Sequence, residues 1–581
     1  MILQALTQHY ETLLKQEKIA PRYYAQASVS LGVRLARNGS ITELVSLSEI
    51  VQKNGANLKY PLHLDLPEAV VRSSGIASNF LWDNATYILG IDTKGNPTRA
   101  CECFRCAKKR HLSILEGVEN ETATSICAFF QNWQPEKALS NSIVLERLME
   151  LTGPNNLVFL GRNCNYAFEE PLIREAWENY REKHSNRHRA TCLVTGRPSQ
   201  SIATIHPKIK GIRNAQAPGT SLVSANASAF ESYGFIANLN SCVSEYAAFA
   251  YSSALNYLIV DFEHLISLNG DTIIYWAENG DSNYQDIFRD CVSPRTGIEE
   301  NVSHILKHIT ADISHSPTLF SADMPFYVLC LSPNAGRLSV RFFLKKSFGE
   351  IINNLATHYQ QLEIAKTPKE GNYLSLYFLL QETILPGEAV NASSLLLASA
   401  TLQAIILGTC YPKPLYHSIL LRIHADRIIN RSRAGIIKAY LLRNNMKLKN
   451  KEVLTVALNE HSFNKPYVLG RLFSLIEQIQ ESATPGIKPT IANRYFNSAS
   501  TTPRLAFPLI LKLNQHNLES NGKLGWRYES QISDLESRLG VDDDPYPSRL
   551  TLEEQGLFIL GYYHQKLAQY QNPSEPKKRN I

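Results

Sequence analysis

The sequence predicts an α+β protein: a mixed N-terminal α/β region, a helical connector and a C-terminal helical bundle. Three observations predict it. Short β-branched or aromatic runs flanked by Gly, Asn, Asp or Pro recur through the first two-thirds. Strand signals fade after about residue 370. Beyond that point prolines open apolar-periodic runs, at Pro414, Pro466 and Pro503.

In chain order, residues 1–17 read as a helix. Tyr87–Leu89, Leu222–Ser224, Thr272–Trp276, Tyr327–Leu331 and Leu338–Leu344 read as strands, and residues 348–363 as a second helix. The helix at 466–480 is the clearest, with Leu469, Leu472, Ile476 and Ile479 at three- and four-residue steps. Asn464 is its expected N-cap, and Pro485-Gly486 follow its end. A helix at 503–515 has Thr502 as expected N-cap and Pro508 as an expected kink. Another spans 551–569, after the Asp542-Asp543-Asp544 loop. Three such helices make a small bundle. The expected division is 1–365 mixed α/β, 366–445 basic helical connector and 446–581 helical bundle.

The chain has 581 residues, 44% hydrophobic and 19% charged, which suffices for large cores and excludes a disordered tail, a coiled coil or a collagen. Its ten cysteines are scattered, unlike those of a secreted disulfide scaffold. Met1–Tyr10 lacks the apolar region of a signal peptide, and Leu395–Leu407 is too short to span a membrane. A soluble, cytoplasmic protein is expected.

The formal charge of +6 is unevenly distributed. Residues 401–451 hold ten Lys/Arg against one acid, Asp426, a net +9. They include Lys413, Arg422, Arg427, Arg431, Arg433, Lys438 and Arg443, taken as candidates for nucleic-acid backbone contact. Residues 181–214 hold eight Lys/Arg against Glu182, a net +7. Two basic blocks on an otherwise acidic chain are the pattern of a phosphate-backbone binder. A solvated helix face or a subunit interface gives the same pattern.

Catalytic signatures are missing from the sequence: no Walker A, G-x-G-x-x-G, G-x-S-x-G or H-E-x-x-H. His424 and Asp426 are two apart in a helical run and point in different directions. Cys101, Cys103 and Cys106, with His111 or Cys127, offer soft ligands, but no second C-x-x-C pair completes a zinc set. The segment reads better as the start of a basic helix, with Arg105, Lys108, Lys109 and Arg110. No cofactor, metal or catalytic residue is expected. Two loops suit nucleic acid instead. Arg72-Ser73-Ser74-Gly75 combines a guanidinium, hydroxyls and a flexible glycine. The stretch from His206 through Lys208, Lys210, Arg213, Asn214 and Gln216 alternates basic and apolar residues, suited to phosphates and base edges.

Longer segments are familiar. NFLWDNATYILG (79–90), CLVTGRPSQSIATIHPKIKG (192–211), LSPNAGRLSVRFF (331–343), YVLGRLFSLIEQIQ (467–480) and EEQGLFILGYYHQ (553–565) resemble the large subunit of the type I-C CRISPR surveillance complex, Cascade. The matches run in order along nearly the whole chain. The resemblance implies a non-catalytic subunit that recognises the protospacer-adjacent motif (PAM) in target double-stranded DNA and promotes R-loop formation. The C-terminal bundle would guide the displaced strand. Implied partners are crRNA-bound Cascade backbone and crRNA-processing subunits and a separate helicase-nuclease. A small subunit made from the same gene by an internal start is also implied; from Met446 it would have 136 residues, and a non-AUG start at Val453 or Val456 fits equally. Arg72, Ser73, Ser74, Asn79 and Asn84 join the 208–216 residues as PAM and duplex candidates. The cysteine trio departs from the family pattern. On the same residues, the alternative is a structural crRNA-filament subunit that binds RNA and protein neighbours without reading DNA.

Overall fold

Helix α1 (Ile2–Lys15) forms because Leu6, Tyr10 and Leu13 return to one face at helical spacing, where all three are buried. The computed structural model describes residues 1–581 apart from 54–55, 71–74, 93–94, 162–164, 185–187, 226, 262–264, 295–298, 311–319, 369, 386–391, 445–450, 541–543 and 572–581. The chain divides into two compact units. One comprises Met1–Lys208 and Val223–Tyr257; the other comprises Ile209–Leu222 and Leu258–Ile581.

After α1, the first unit builds two small sheets, besides a two-stranded pairing of Arg189–Ala190 with Gln200–Ser201. Strands β1 (Tyr24–Val29), β4 (Ser48–Lys53) and β5 (Ala56–Pro67) form an antiparallel sheet with β5 central. Strands β2 (Leu31–Leu35), β3 (Ile41–Ser46), β6 (Trp82–Asn84) and β7 (Asn156–Phe159) form a second, ordered β3-β2-β7-β6, with β2 and β7 parallel. Helices α2 (Pro97–Leu115), α3 (Glu121–Asn132) and α4 (Pro171–Lys183) share its core through Phe104, Phe129, Phe130, Phe159 and Trp177. Asn96 and Asn120 cap α2 and α3, their side chains accepting from Arg99 N and Ala123 N. Helix α5 (Glu245–Val260) packs Ala250 and Ala254 against Tyr10 of α1.

The second unit opens on an antiparallel sheet of β8 (Leu265–Leu268), β9 (Asp271–Ala277), β10 (Pro325–Asn334) and β11 (Arg337–Ser347), in that order. β9 is buried along its whole length, as expected of a strand covered on both faces. Helices α6 (Ser282–Val292), α7 (Phe348–Leu362), α8 (Ala392–Leu407), α9 (Lys413–Asp426) and α10 (Arg431–Asn444) follow. The C-terminal region continues as α11 (Lys465–Ala483), α12 (Ile491–Thr501), α13 (Pro503–Ser520), α14 (Gly525–Ser537) and α15 (Leu552–Gln571). One continuous apolar cluster joins residues from Leu268 to Leu567. The fold is thus α+β with a helical C-terminal region, as the sequence predicts.

Several element predictions hold. Asn464 caps α11 by accepting from Tyr467 N, and prolines sit in the first turns of α9, α11 and α13. Others fail. Tyr87–Leu89 is not a strand: it falls on the short helix Ala85–Ile88 and its cap, started by Asn84. Leu222–Ser224 forms no strand; its neighbour Ser221 makes one isolated bridge to Arg337. Thr502 precedes α13 but returns its hydroxyl to Ser498 O instead of capping, and α13 continues past Pro508 to Ser520. Two bundle helices, α12 and α14, were not anticipated.

Helices α11 and α15 cross where each has a glycine against the other's backbone. A Cβ on Gly470 would overlap the Phe558 carbonyl, and one on Gly561 would overlap the Tyr467 carbonyl. Neither neighbour is a side chain that can swing away. Gly561→Ala should therefore destabilise the protein by about 2 kcal/mol or more, read as a lowered denaturant midpoint. A change below about 0.5 kcal/mol would show that the helices can separate.

Five buried histidines set an acid limit. Burial pushes His111 and His358 down to about 3, and His9, His206 and His564 down to about 4. The unfolded chain protonates these rings near 6.5 while the folded chain keeps them neutral. Below pH 6.5 only the unfolded chain gains these protons, so stability falls from there down to about pH 3. Denaturant midpoints should fall across that window, and His358→Gln should flatten the slope.

Candidate nucleic-acid interface

The residues singled out from the sequence include the 208–216 loop and the basic residues of α9 and α10, and the structure gives them different roles. Arg72, Ser73 and Ser74 lie outside the described residues. The base of their loop is described. Asn79 is buried, its Oδ1 accepts from Val70 N at 3.0 Å, and its own N–H donates to Asp83 Oδ2 at 2.9 Å. Trp82 Nε1 donates to Pro67 O at 2.8 Å. Asn79 therefore ties Val70 to Asp83 from a buried position and is not placed to read a base. Asn84 accepts from Thr86 N as a helix cap. Both asparagines are corrected from contact residues to structural ones: their side chains satisfy backbone N–H groups.

Beneath them lies His111. Its Nε2 accepts from Leu81 N at 2.8 Å, which leaves Nδ1–H to donate to Ala107 O at 2.7 Å. Leu81 has φ 65°, so this bond holds a backbone conformation that leucine rarely adopts. With both nitrogens engaged, His111 has no lone pair for a metal. Cys101, Cys103 and Cys106 lie on α2 outside any disulfide, with Cys106 Sγ donating to Ile76 O at 3.8 Å.

The 208–216 stretch behaves as its alternation suggests. Lys208, Lys210, Arg213, Asn214 and Gln216 are exposed, while Ile209 and Ile212 are buried. Lys208 ends the first unit's main segment, where its carbonyl accepts from Asn256 Nδ2 at 3.1 Å. The remaining residues form a loop of the second unit. Ile209 and Thr220 exchange backbone hydrogen bonds of 2.7 and 2.8 Å across its neck. Ser221 then joins the β10–β11 turn through Gly336 O and Leu338 N. Gly211 and Asn214, at φ 81° and 61°, turn the chain inside it. Two buried isoleucines and a closed neck thus present a cationic rim.

The 401–451 block is different. Arg433 lies 5% exposed between Asp426, at 2.7 Å, and Glu382, at 2.7 Å. Arg431 donates to Gly371 O and Asn372 O at 2.6 and 3.0 Å. Lys438 Nζ donates to Gln361 O and Glu363 O at 3.0 and 2.5 Å. Arg443 donates to Gln361 Oε1 at 2.9 Å and to Ala404 O at 3.3 Å, over the Tyr411 ring. Arg422 pairs with Asp426 at 2.7 Å. All five are buried. Burial works to raise the Asp426 carboxyl, but the Arg433 and Arg422 guanidiniums hold it below its ordinary value. Arg422, Arg431, Arg433, Lys438 and Arg443 are therefore corrected: they hold the fold together, with no surface for a phosphate. Lys413 is exposed at the start of α9, and Arg427 is half-buried at its left-handed C-cap, φ 57°. His424 faces Asn497 and Gln555, each at 3.2 Å, away from Asp426.

One grouping escaped the sequence reading. In the first unit, Arg22, Arg110 and Arg181 line a cavity of about 440 Å³ with Tyr23, Tyr180 and Phe249. The available signal was Trp177-x-x-Tyr180-Arg181, an aromatic–basic run on α4.

These features belong to a CRISPR-associated protein. A family profile described as CRISPR-associated protein (Cas_Csd1) matches residues 6–570, and the chain belongs to that family, of Cascade type. No curated protein matches the chain. Among the described residues, no helix is long and apolar enough to cross a membrane.

The two basic blocks should separate by experiment. Arg433→Met leaves the half-buried Glu382 without its cation and Asp426 with Arg422 alone, and should cost about 3 kcal/mol of stability. Reversing Lys210 and Arg213 to Glu should leave the thermal midpoint nearly unchanged. Equal destabilisation by both would contradict the division into structural and surface cations.

Proposed function

We propose that the chain is the non-catalytic large subunit of a type I-C Cascade, which reads the PAM in duplex DNA and promotes R-loop formation with the crRNA. The observation that carries this reading is the exposed row Lys208, Lys210 and Arg213, held over buried Ile209 and Ile212 on a chain of the CRISPR-associated family. Guide pairing supplies most sequence discrimination, so such a subunit needs only a short duplex reader and sequence-blind cations. The 208–216 loop offers both, with Asn214 and Gln216 beside the cations as base-edge readers. Arg72, Ser73 and Ser74 form the second contact. The helices from α11 onward guide the displaced strand. A separate helicase-nuclease makes the cut, and the complex works in the cytoplasm with crRNA-bound backbone subunits. A small subunit arises from an internal start near Met446.

Changing Lys208, Lys210 and Arg213 together to Glu in the assembled complex should weaken binding to a PAM-containing duplex at least tenfold and flatten its dependence on salt. Binding and salt slope unchanged from the wild type would remove this loop from the DNA path.

A further inference from the structure

We infer that the arginine-lined cavity of the first unit is a nucleotide site, taking one phosphate and its base from a single strand of nucleic acid. The inference rests on the proposed nucleic-acid role and names a contact beyond it.

The cations around the cavity are not equally balanced. Arg181 Nη2 pairs with Glu68 at 2.7 Å, and Arg22 Nη2 reaches Glu245 at 3.6 Å. Among the described residues no carboxylate lies within 4.0 Å of Arg110. Its guanidinium is instead held over the rings of Trp177, at 5.6 Å, and Tyr180, at 5.8 Å. Among the described residues its Nε is buried with no acceptor, and burial works to lower its pKa, opposed by Asp83 acting from beyond 4.0 Å. A partly desolvated cation without a close counter-charge is costly unless an anion completes it.

The surroundings select the anion. Arg181 lies over Trp177 and Tyr23, at 5.6 and 5.4 Å, so two guanidiniums are oriented by rings before any ligand arrives. Two planar forks match the paired oxygens of a phosphate. Tyr180 and Phe249 add aromatic walls, suited to stacking on a base. A cavity of about 440 Å³ accommodates a small polar ligand with a ring.

The test uses the purified full chain and a fluorescein-labelled single-stranded oligothymidylate, read by anisotropy across a salt series. Arg110→Gln should weaken binding about tenfold and lower the salt slope by about one. Thymidine 5′-monophosphate should displace the oligonucleotide from the wild-type chain better than inorganic phosphate does. Displacement by inorganic phosphate alone, to the same degree, would overturn the base-stacking half of the inference. Glu68→Gln frees Arg181 and should tighten binding, which guards against a folding defect in the first variant. Wild-type affinity in both variants would overturn the site. The outcome is separable from the PAM reading, which depends on the 208–216 cations in the assembled complex.

Discussion

Helix α10 lies inside the second unit with nearly every residue buried, yet it carries Arg431, Arg433, Lys438 and Arg443. Such a helix is tolerable only if each charge meets a partner. The partners are largely the ends of other elements. Lys438 reaches Gln361 O and Glu363 O at the end of α7, and Arg443 reaches Ala404 O and Thr409 O around the end of α8. Helix C-termini leave carbonyls unpaired and partially negative. The dependence is mutual: α7 and α8 can stop within the protein because α10 supplies donors, and α10 can be buried because they stop against it. Arg433 extends the scheme to Asp426 at the end of α9.

The same residue types do opposite work elsewhere. On the 208–216 loop the apolar residues turn inward and the cations outward. Around the cavity of the first unit, aromatic rings hold guanidiniums at the boundary, half desolvated. Charge count alone does not distinguish these states; what decides is whether a carbonyl or carboxylate lies within reach.

That distinction sets how much was legible in the sequence. The α+β class and the proline-started helices followed from local chemistry, and Asn464 acts as the expected cap. The alternation of Lys208, Ile209, Lys210 and Ile212 gave the correct faces. The first unit's strands β1 and β3 escaped because their burial is partial and irregular. Helix α10 misled for a physical reason. Its partners Gln361, Glu363 and Ala404 are remote in sequence and act through their carbonyls, which every residue type carries alike. Asn79 misled similarly, since a side chain that could read a base can equally satisfy Val70 N. The Arg110 cavity draws on α2, α4 and the turn before β1, a juxtaposition made only by folding.

The glycine crossing of α11 and α15 also has a consequence in time. Helix α15 leaves the ribosome after every element it touches. Until then the backbone-deep groove at Gly470 is vacant, and Tyr416 lacks the Leu552 carbonyl that its hydroxyl donates to at 2.7 Å. The nascent second unit therefore carries the faces of α10, α11 and α12 that α15 covers open until late in translation, a state prone to association with other chains. Docking of α15 is the step that closes the apolar cluster.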